Sequence, residues 1–391
     1  MAKDVFILGG ARTPMTQHVG ALKDFSAIDL GAIASKAALE RTGTDPGSVN
    51  HVVFGNVQQS SVDAHYGARH VGLKAGLPIE VPALTVNRLC GSGIQAVLSG
   101  AQHIQLGEAN VVLTGGMESM SQVPHVIRGA RTGFKLGQGK LEDWLWEGLT
   151  DPYAGCSMAI TAENCAAKYG ITRDQADCYA LRSQQLAHQA WTSGIMKEEI
   201  VPVEIKTRKG VTLVEQDDHM RPETTIETLA KLPAVFKQDG VVTAGNASGI
   251  VDGAAALVIA NEDAAKRSKP LGRIVSWATV GVEPTLMGMG PAPAIRKALE
   301  TAGLTLAELD LIEINEAFAA QYLACEKELG LDRDKVNVNG GAIALGHPLG
   351  ASGARILLTL LLELRRRGKK YGVASACIGG GQGIAMIIEA V

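Results

Sequence analysis

The sequence predicts an α/β fold made of two copies of one unit, with a long insertion between them. Three observations carry this reading. At a constant offset of 260, Ala34, Lys36, Ala38, Leu39, Glu40 and Gly43 fall on Ala294, Arg296, Ala298, Leu299, Glu300 and Gly303, and Ser92-Gly93 fall on Ser352-Gly353. Short apolar runs alternate with helical periodicities in both copies, the pattern of a mixed or parallel sheet. The length, 391 residues, is two to three times the prior of roughly 150 for one domain.

Taken in order, residues 5–8, 51–54 and 111–113 read as strands of the first copy and 274–277, 311–314 and 373–376 as strands of the second. The apolar set Val97, Leu98, Ala101, Ile104 falls at the same offset on Leu357, Leu358, Leu361, Leu364, so one helix recurs twice. The stretch 357–364 is apolar on every side and must be enclosed by protein, which predicts a helix layer between two sheets. The insertion differs in character, with Trp144, Trp146, Trp191, a polar helix near 173–190 and the turn Asp217-Asp218-His219-Met220-Arg221-Pro222. The expected division is a first half from 1–120 plus about 250–271, a loop domain at 121–249, and a second half at 272–391.

Composition excludes several classes. A net charge of -3, with 20% charged and 46% hydrophobic residues, leaves no nucleic-acid face, polybasic membrane patch or disordered composition. Residues 1–5 run into an apolar strand with no secretory pattern, so a soluble cytoplasmic protein is expected, in bacterial cytosol or an organelle matrix. The 356–364 stretch is about half a bilayer span. Six cysteines with no CxxC pair read as thiols, and no metal site is expected. Gly, at 46 residues, exceeds the usual ~7%, implying tight turns or backbone brought close to a ligand.

The chemistry concentrates in four motifs. In Asn87-Arg88-Leu89-Cys90-Gly91-Ser92-Gly93, Cys90 stands between a strand and a helix. A lone cysteine is usually inert packing, but a packing residue needs neither the turn nor the glycines. A helix N-terminus is expected to lower its pKa and to supply N–H donors. The same stretch, Gly91-Ser92-Gly93-Ile94-Gln95-Ala96, imitates a dinucleotide fingerprint, but the following strand ends Leu113-Thr114-Gly115-Gly116 without the ribose-binding carboxylate. In the second copy, Gly346-His347-Pro348-Leu349-Gly350 places His347 near Gly350, the positional twin of Cys90. A histidine beside a cysteine can take its proton. Ala376-Cys377-Ile378-Gly379-Gly380-Gly381-Gln382-Gly383 lies between two strands and opens no helix. Ile314-Asn315-Glu316-Ala317-Phe318 ends a strand, where α/β sheets place their sites; Glu316 by itself reads as a solvated or capping carboxylate.

These four motifs, in this order and spacing, resemble the thiolase family from end to end. The resemblance implies a five-layered αβαβα core of two similar halves, and a loop domain that binds coenzyme A as a substrate, with no permanently bound cofactor. It implies an acyl-CoA C-acyltransferase that thiolyses 3-ketoacyl-CoA or condenses two acetyl-CoA, and a homotetramer or homodimer. By the same resemblance Cys90 is the nucleophile, His347 its base, Cys377 the second acid/base, Asn315 a water holder, and the N–H groups of Cys90 and Gly379 an oxyanion site. Coenzyme A contacts carry over to Arg221, Ser248, Phe236, Met158, Thr228, Ala317, Phe318 and Met287. Ser157 and Thr228 depart from the biosynthetic pattern, and residues 220–227 and 243–249 look closer to degradative members, so acetoacetyl-CoA specificity is the alternative. A ketoacyl synthase would lack Cys377, and a silent binding relative would lose Cys90, His347 or Cys377.

Overall fold

The structure, a computed structural model, describes residues 4–208 and 210–391. In the first half, strands β1 (Val5–Arg12), β2 (His51–Gly55), β3 (Ala83–Val86), β4 (Val111–Glu118) and β5 (Val251–Asn261) alternate with helices α1 (Ala27–Thr42), α2 (Gly67–Ala75) and α3 (Ser92–Gln105). Between β4 and β5 stand the helices α4 (Trp144–Gly148), α5 (Met158–Tyr169), α6 (Arg173–Thr192) and α7 (Ile226–Ala230). The second half adds β6 (Gly272–Gly281), α8 (Pro291–Ala302), β7 (Leu311–Ile314), α9 (Ala319–Leu329), α10 (Ala342–Leu345), α11 (Leu349–Arg366), β8 (Tyr371–Ile378) and β9 (Gln382–Ala390). The expected strands are all present.

Five layers follow from alternate burial. Along β5, Ala255, Leu257 and Ile259 face a core that also holds residues of α3, α11, β8 and β9. Their neighbours Ala254, Ala256 and Val258 face α1 and α2. On β9, Ile384, Met386 and Ile388 turn to the same central core, while Ala385 and Ile387 pack with α8 and α9. Period-2 alternation with both faces apolar is what a sheet covered by helices on each side requires. Helices α3 and α11 thus form the enclosed middle layer. The two sheets are not separate, however. Phe6 and Ile7 of β1 pair with Arg273 and Gly272 of β6, giving one hydrogen-bonded path, β7-β8-β9-β6-β1-β5-β4-β2-β3.

The duplication also shows where the chain is interrupted. Strands β8 and β9 form an antiparallel hairpin across residues 379–381. Their counterparts β4 and β5 pair in the same sense, but residues 119–250 intervene. Fully buried Arg12, at the end of β1, ties this excursion down through Glu199 (2.7 Å) and Asp217 (2.6 and 2.8 Å), and Thr359 of α11 donates to the same Glu199 (2.7 Å). A buried cation needs such pairing. Helices α1 and α8 both end on left-handed glycines, Gly43 (φ 61°) and Gly303 (φ 66°), the cap the repeat predicts. Among the described residues, no helix is long and apolar enough to cross a membrane.

Candidate active site

Cys90 lies in the turn between β3 and α3, two residues before the helix. Leu89 takes a left-handed φ of 46°, a conformation costing a residue with a side chain roughly 1–2 kcal/mol. It is held there by Asn87 Oδ1, which accepts from its N–H (2.9 Å), and by Ser92 Oγ, which donates to its carbonyl (2.6 Å). Such over-determined strain fixes where the sulfur points. The Gly379 N–H and the N–H of Cys90 itself lie close enough to that sulfur to favour its thiolate. The expectation of a depressed thiol pKa is overturned. Burial pushes Cys90 up to about 11, with the carboxylate of Glu118 adding to the rise, and the two N–H groups pull only part of the way back. Cys90 rests as a thiol and needs a base.

His347 can be that base. Its Nδ1 lies 2.5 Å from Ser352 Oγ, and Ser352 in turn donates to the Pro348 carbonyl (3.1 Å). The serine proton is therefore spent, Nδ1 carries the imidazole hydrogen, and Nε2 presents its lone pair. Burial, helped by the Arg355 charge, drives the imidazole pKa down to about 3, so the ring is neutral at pH 7. Asn315 Nδ2 stands 3.3 Å from Nε2, while its buried Oδ1 has no partner among the described residues. That spare acceptor suits a bound water. Glu316 is not solvated, as the sequence suggested, but fully buried. It accepts from Tyr179 (2.7 Å), Ser183 (2.7 Å), Asn337 (3.1 Å) and the Ile343 N–H (3.1 Å), fastening Asn315 to the turn that precedes His347.

Cys377, the penultimate residue of β8, is fully buried, and burial pushes its thiol well up, with the Cys90 sulfur adding to the rise. The glycine turn after it presses on the Cys90 turn: a Cβ on Gly91 would lie 2.6 Å from Ile378 Cδ1, and one on Gly379 3.1 Å from Leu89 Cδ1. Glu118 closes the back of the site. It accepts from Val57, Gln58 and Gly350 N–H groups and from Asn56, so the twin turns of Cys90 and Gly350 share one buried carboxylate neighbour.

A mostly apolar cleft of about 160 Å³ opens beside the histidine turn, and His347 lines it. Of the residues expected to meet coenzyme A, Ser248, Phe236, Met158 and Phe318 form its wall. Ala317 and Met287 pack with Cys377 just beneath. Two are not brought into the cleft. The Thr228 hydroxyl is spent in the cap of α7, donating to the Thr225 carbonyl and accepting its N–H, and exposed Arg221 donates to Gln17 Oε1 (3.0 Å). Sequence reasoning missed Met120, Leu149 and Leu349 in the wall, because they come from three separate segments and none carries a local signal of which side turns inward. Trp146, a large aromatic in an otherwise aromatic-poor chain, was the one available hint.

The chain matches the family models for the thiolase N-terminal domain over residues 5–263 and the thiolase C-terminal domain over 268–390. It is 56% identical to mitochondrial 3-ketoacyl-CoA thiolase of Homo sapiens over 392 aligned positions, covering 100% of this chain and 99% of that protein. It is 50% identical to an acetyl-CoA acetyltransferase of Rhizobium meliloti, covering 98% of each. The crystal structure of human mitochondrial 3-ketoacyl-CoA thiolase in complex with CoA superposes with a TM-score of 0.97 at 55% identity, over 100% of this chain and 99% of that one. With its core, both cysteine turns and the histidine turn in place along the full length, this chain belongs to the thiolase family.

Proposed function

We propose that the chain is a degradative 3-ketoacyl-CoA thiolase working through an acyl-enzyme on Cys90. The observation that carries this reading is the convergence on one sulfur of the Gly379 N–H, the Cys90 N–H and the neighbouring Cys377. His347 Nε2 takes the Cys90 proton, and the sulfur adds to the C3 ketone carbon. The oxyanion formed there sits against the N–H groups of Cys90 and Gly379, of which each such donor is typically worth ~3–4 kcal/mol. The C2–C3 bond then breaks. Its electron pair becomes the thioester enolate, whose oxygen is met by His347, now protonated, and by a water on Asn315. Cys377 gives its proton to C2, releasing acetyl-CoA and leaving the acyl group on Cys90. The Cys377 thiolate takes the proton of an incoming CoA thiol, whose sulfur attacks the acyl-Cys90 thioester. Cys90 departs and recovers its proton from His347. Reversed, the same steps condense two acetyl-CoA.

Coenzyme A is substrate here, with no resident cofactor required. Its pantetheine arm runs past Ser248, Phe236, Met158 and Phe318, with Ala317 and Met287 supporting that wall; the nucleotide lies toward Arg221 at the outer rim. Residues 121–249 act as the loop domain over it, between halves made of 1–120 with about 250–271 and of 272–391. Higher identity to the 3-ketoacyl-CoA thiolase than to the acetyltransferase supports the degradative direction. A homotetramer or homodimer in the cytoplasm or an organelle matrix completes the reading; the similar human protein is mitochondrial. The test is half-reaction by half-reaction. Cys90→Ala should lose both acetylation by acetyl-CoA and turnover, whereas Cys377→Ala should still be acetylated on Cys90 while thiolysis falls ~10²–10⁴-fold. A Cys377→Ala enzyme with near-parental turnover, or an acetyl group found elsewhere than Cys90, would overturn the assignment.

A further inference from the structure

We infer that the acyl chain of the substrate lies under α4, against Met120, Leu145 and Leu349, and that Leu145 sets how long a chain the enzyme accepts. This rests on the thiolase reading above. The cleft has two apolar ends that belong to different clusters. At one, Phe236, Ala247 and Phe318 pack on Ala159 and Val242. At the other, Met120 and Leu349 continue into a cluster that contains Leu145 and touches Cys90, Val57 and Val123. His347 stands in the wall common to both.

The two ends differ in what they can bind. A pantetheine arm carries two amides, and a buried amide without a partner is costly. The first end offers Ser248 and Ser157 alongside its aromatics. The cluster touching Cys90 consists of hydrocarbon and thioether side chains and one thiol, which fits an alkyl chain and nothing with amides. The chain is bonded to Cys90 in the intermediate, so it must leave the sulfur along a surface that Cys90 touches. In that cluster Val57, Val123 and Cys90 are half-buried while Leu145 and Met120 are buried, so its rim, where Cys90 lies, reaches the surface and its floor is closed at Leu145.

That stop is firmly held. Leu145 sits in the first turn of α4, capped by Asp143, whose side chain accepts the Leu145 N–H (3.0 Å). A Cβ on Gly148 at the end of α4 would lie 2.0 Å from Gln58 Nε2, and the Gln58 N–H is bound to Glu118 (2.9 Å). The helix therefore packs closely on Gln58, whose backbone is bound to the same carboxylate that backs the catalytic turns. Each buried methylene is worth about fourfold in binding, the equivalent of roughly 0.8 kcal/mol, so moving the stop reshapes the profile.

The experiment measures kcat/KM for thiolysis of straight-chain 3-ketoacyl-CoA from four to sixteen carbons in the parent, Leu145→Ala and Leu145→Phe, with Val123→Phe as a second obstruction at the rim of the same cluster. Leu145→Ala should shift the profile toward longer chains. Leu145→Phe and Val123→Phe should each raise the ratio of four-carbon to ten-carbon activity at least tenfold. Folding is checked by melting temperature. If Leu145→Ala and either Phe variant fold and change every chain length by one common factor, the acyl site is elsewhere. If the parent thiolyses no 3-ketoacyl-CoA at all, the thiolase reading itself fails, a different and recognisable result.

Discussion

Gly93 and Gly353, related by the internal repeat, touch each other where the two buried helices cross. A Cβ on Gly93 would fall 2.3 Å from Ala354 N, and one on Gly353 would fall 2.4 Å from Ile94 N. Backbone meets backbone there, so no side chain can give way. Gly93→Ala or Gly353→Ala should each destabilise the fold by ~1–3 kcal/mol, the cost of overpacking a tight core. Chemical denaturation measures the loss. Turnover should fall as well, because α3 and α11 carry the Cys90 and His347 turns at their starts.

Ser352 sits one position before that contact and fixes the proton on His347. Ser352→Ala removes the oxygen 2.5 Å from Nδ1 and leaves a buried imidazole N–H unpaired, or lets the ring change tautomer. Hydrogen bonds to groups that become charged are worth about 1.5–3 kcal/mol, so kcat should drop about 10–100-fold. Acetylation of Cys90 by acetyl-CoA, followed by mass spectrometry, should slow by a similar factor. An unchanged acylation rate would mean that His347 is not the base.

The division between what was legible in the chain and what was not is instructive. Period-2 and helical patterns gave the strands and the enclosed helix because burial on both faces leaves a local imprint, as at Ile384 and Leu357. Cys90 was visible through its turn glycines. Its pKa was misjudged because the helix N-terminus is a neighbour in sequence, while the burial and the carboxylate of Glu118 that outweigh it come from elsewhere in the chain. Thr228 differs: its hydroxyl is engaged by the backbone of Thr225 only three residues away. Part of the cleft wall was hidden, since Met120, Leu149 and Leu349 are ordinary apolar residues from distant segments, and only the fold brings them to one wall.

The glycine turn after Cys377 should respond unevenly to substitution. Gly380 (φ 78°) faces open space, so Gly380→Ala carries only the left-handed penalty of roughly 1–2 kcal/mol. Gly381 (φ 79°) would in addition bring a Cβ to 2.4 Å from the Val282 carbonyl, beside the 2.7 Å bond from the Val282 N–H to Gly381. Gly381→Ala must displace the turn and with it the Gly379 N–H aimed at Cys90. A kcat loss of about tenfold or more is expected for Gly381→Ala, as for part of an oxyanion donor, and only a few-fold loss for Gly380→Ala. Equal losses would show that the turn transmits no geometry to the sulfur.

Among the groups through which stability should depend on pH, His219 and Glu118 act in opposite directions. His219, which packs against Gly249, has its pKa driven by burial, and secondarily by Arg221, from 6.5 to about 4. Its folded-state pKa is depressed, so the folded protein binds the neutral ring, and the stability this contributes is complete above pH 6.5 and is lost as pH falls through about 4. Glu118 is raised by burial from 4.5 to about 7. The fold there favours the protonated acid, and that contribution is complete below pH 4.5 and is lost as pH rises through about 7. Between pH 4.5 and 6.5 the two changes oppose each other and partly cancel. Melting temperatures of the parent, His219→Gln and Glu118→Gln, measured from pH 3.5 to 8, isolate each part as a difference curve. Relative to the parent, His219→Gln should gain stability as pH falls from 6.5 to 4 and stay level above 6.5. Glu118→Gln should start lower, because an amide cannot accept all four of the hydrogen bonds to Glu118, and should recover relative to the parent as pH rises from 4.5 to 7. Difference curves that are flat across both windows would mean that neither group changes its proton affinity on folding.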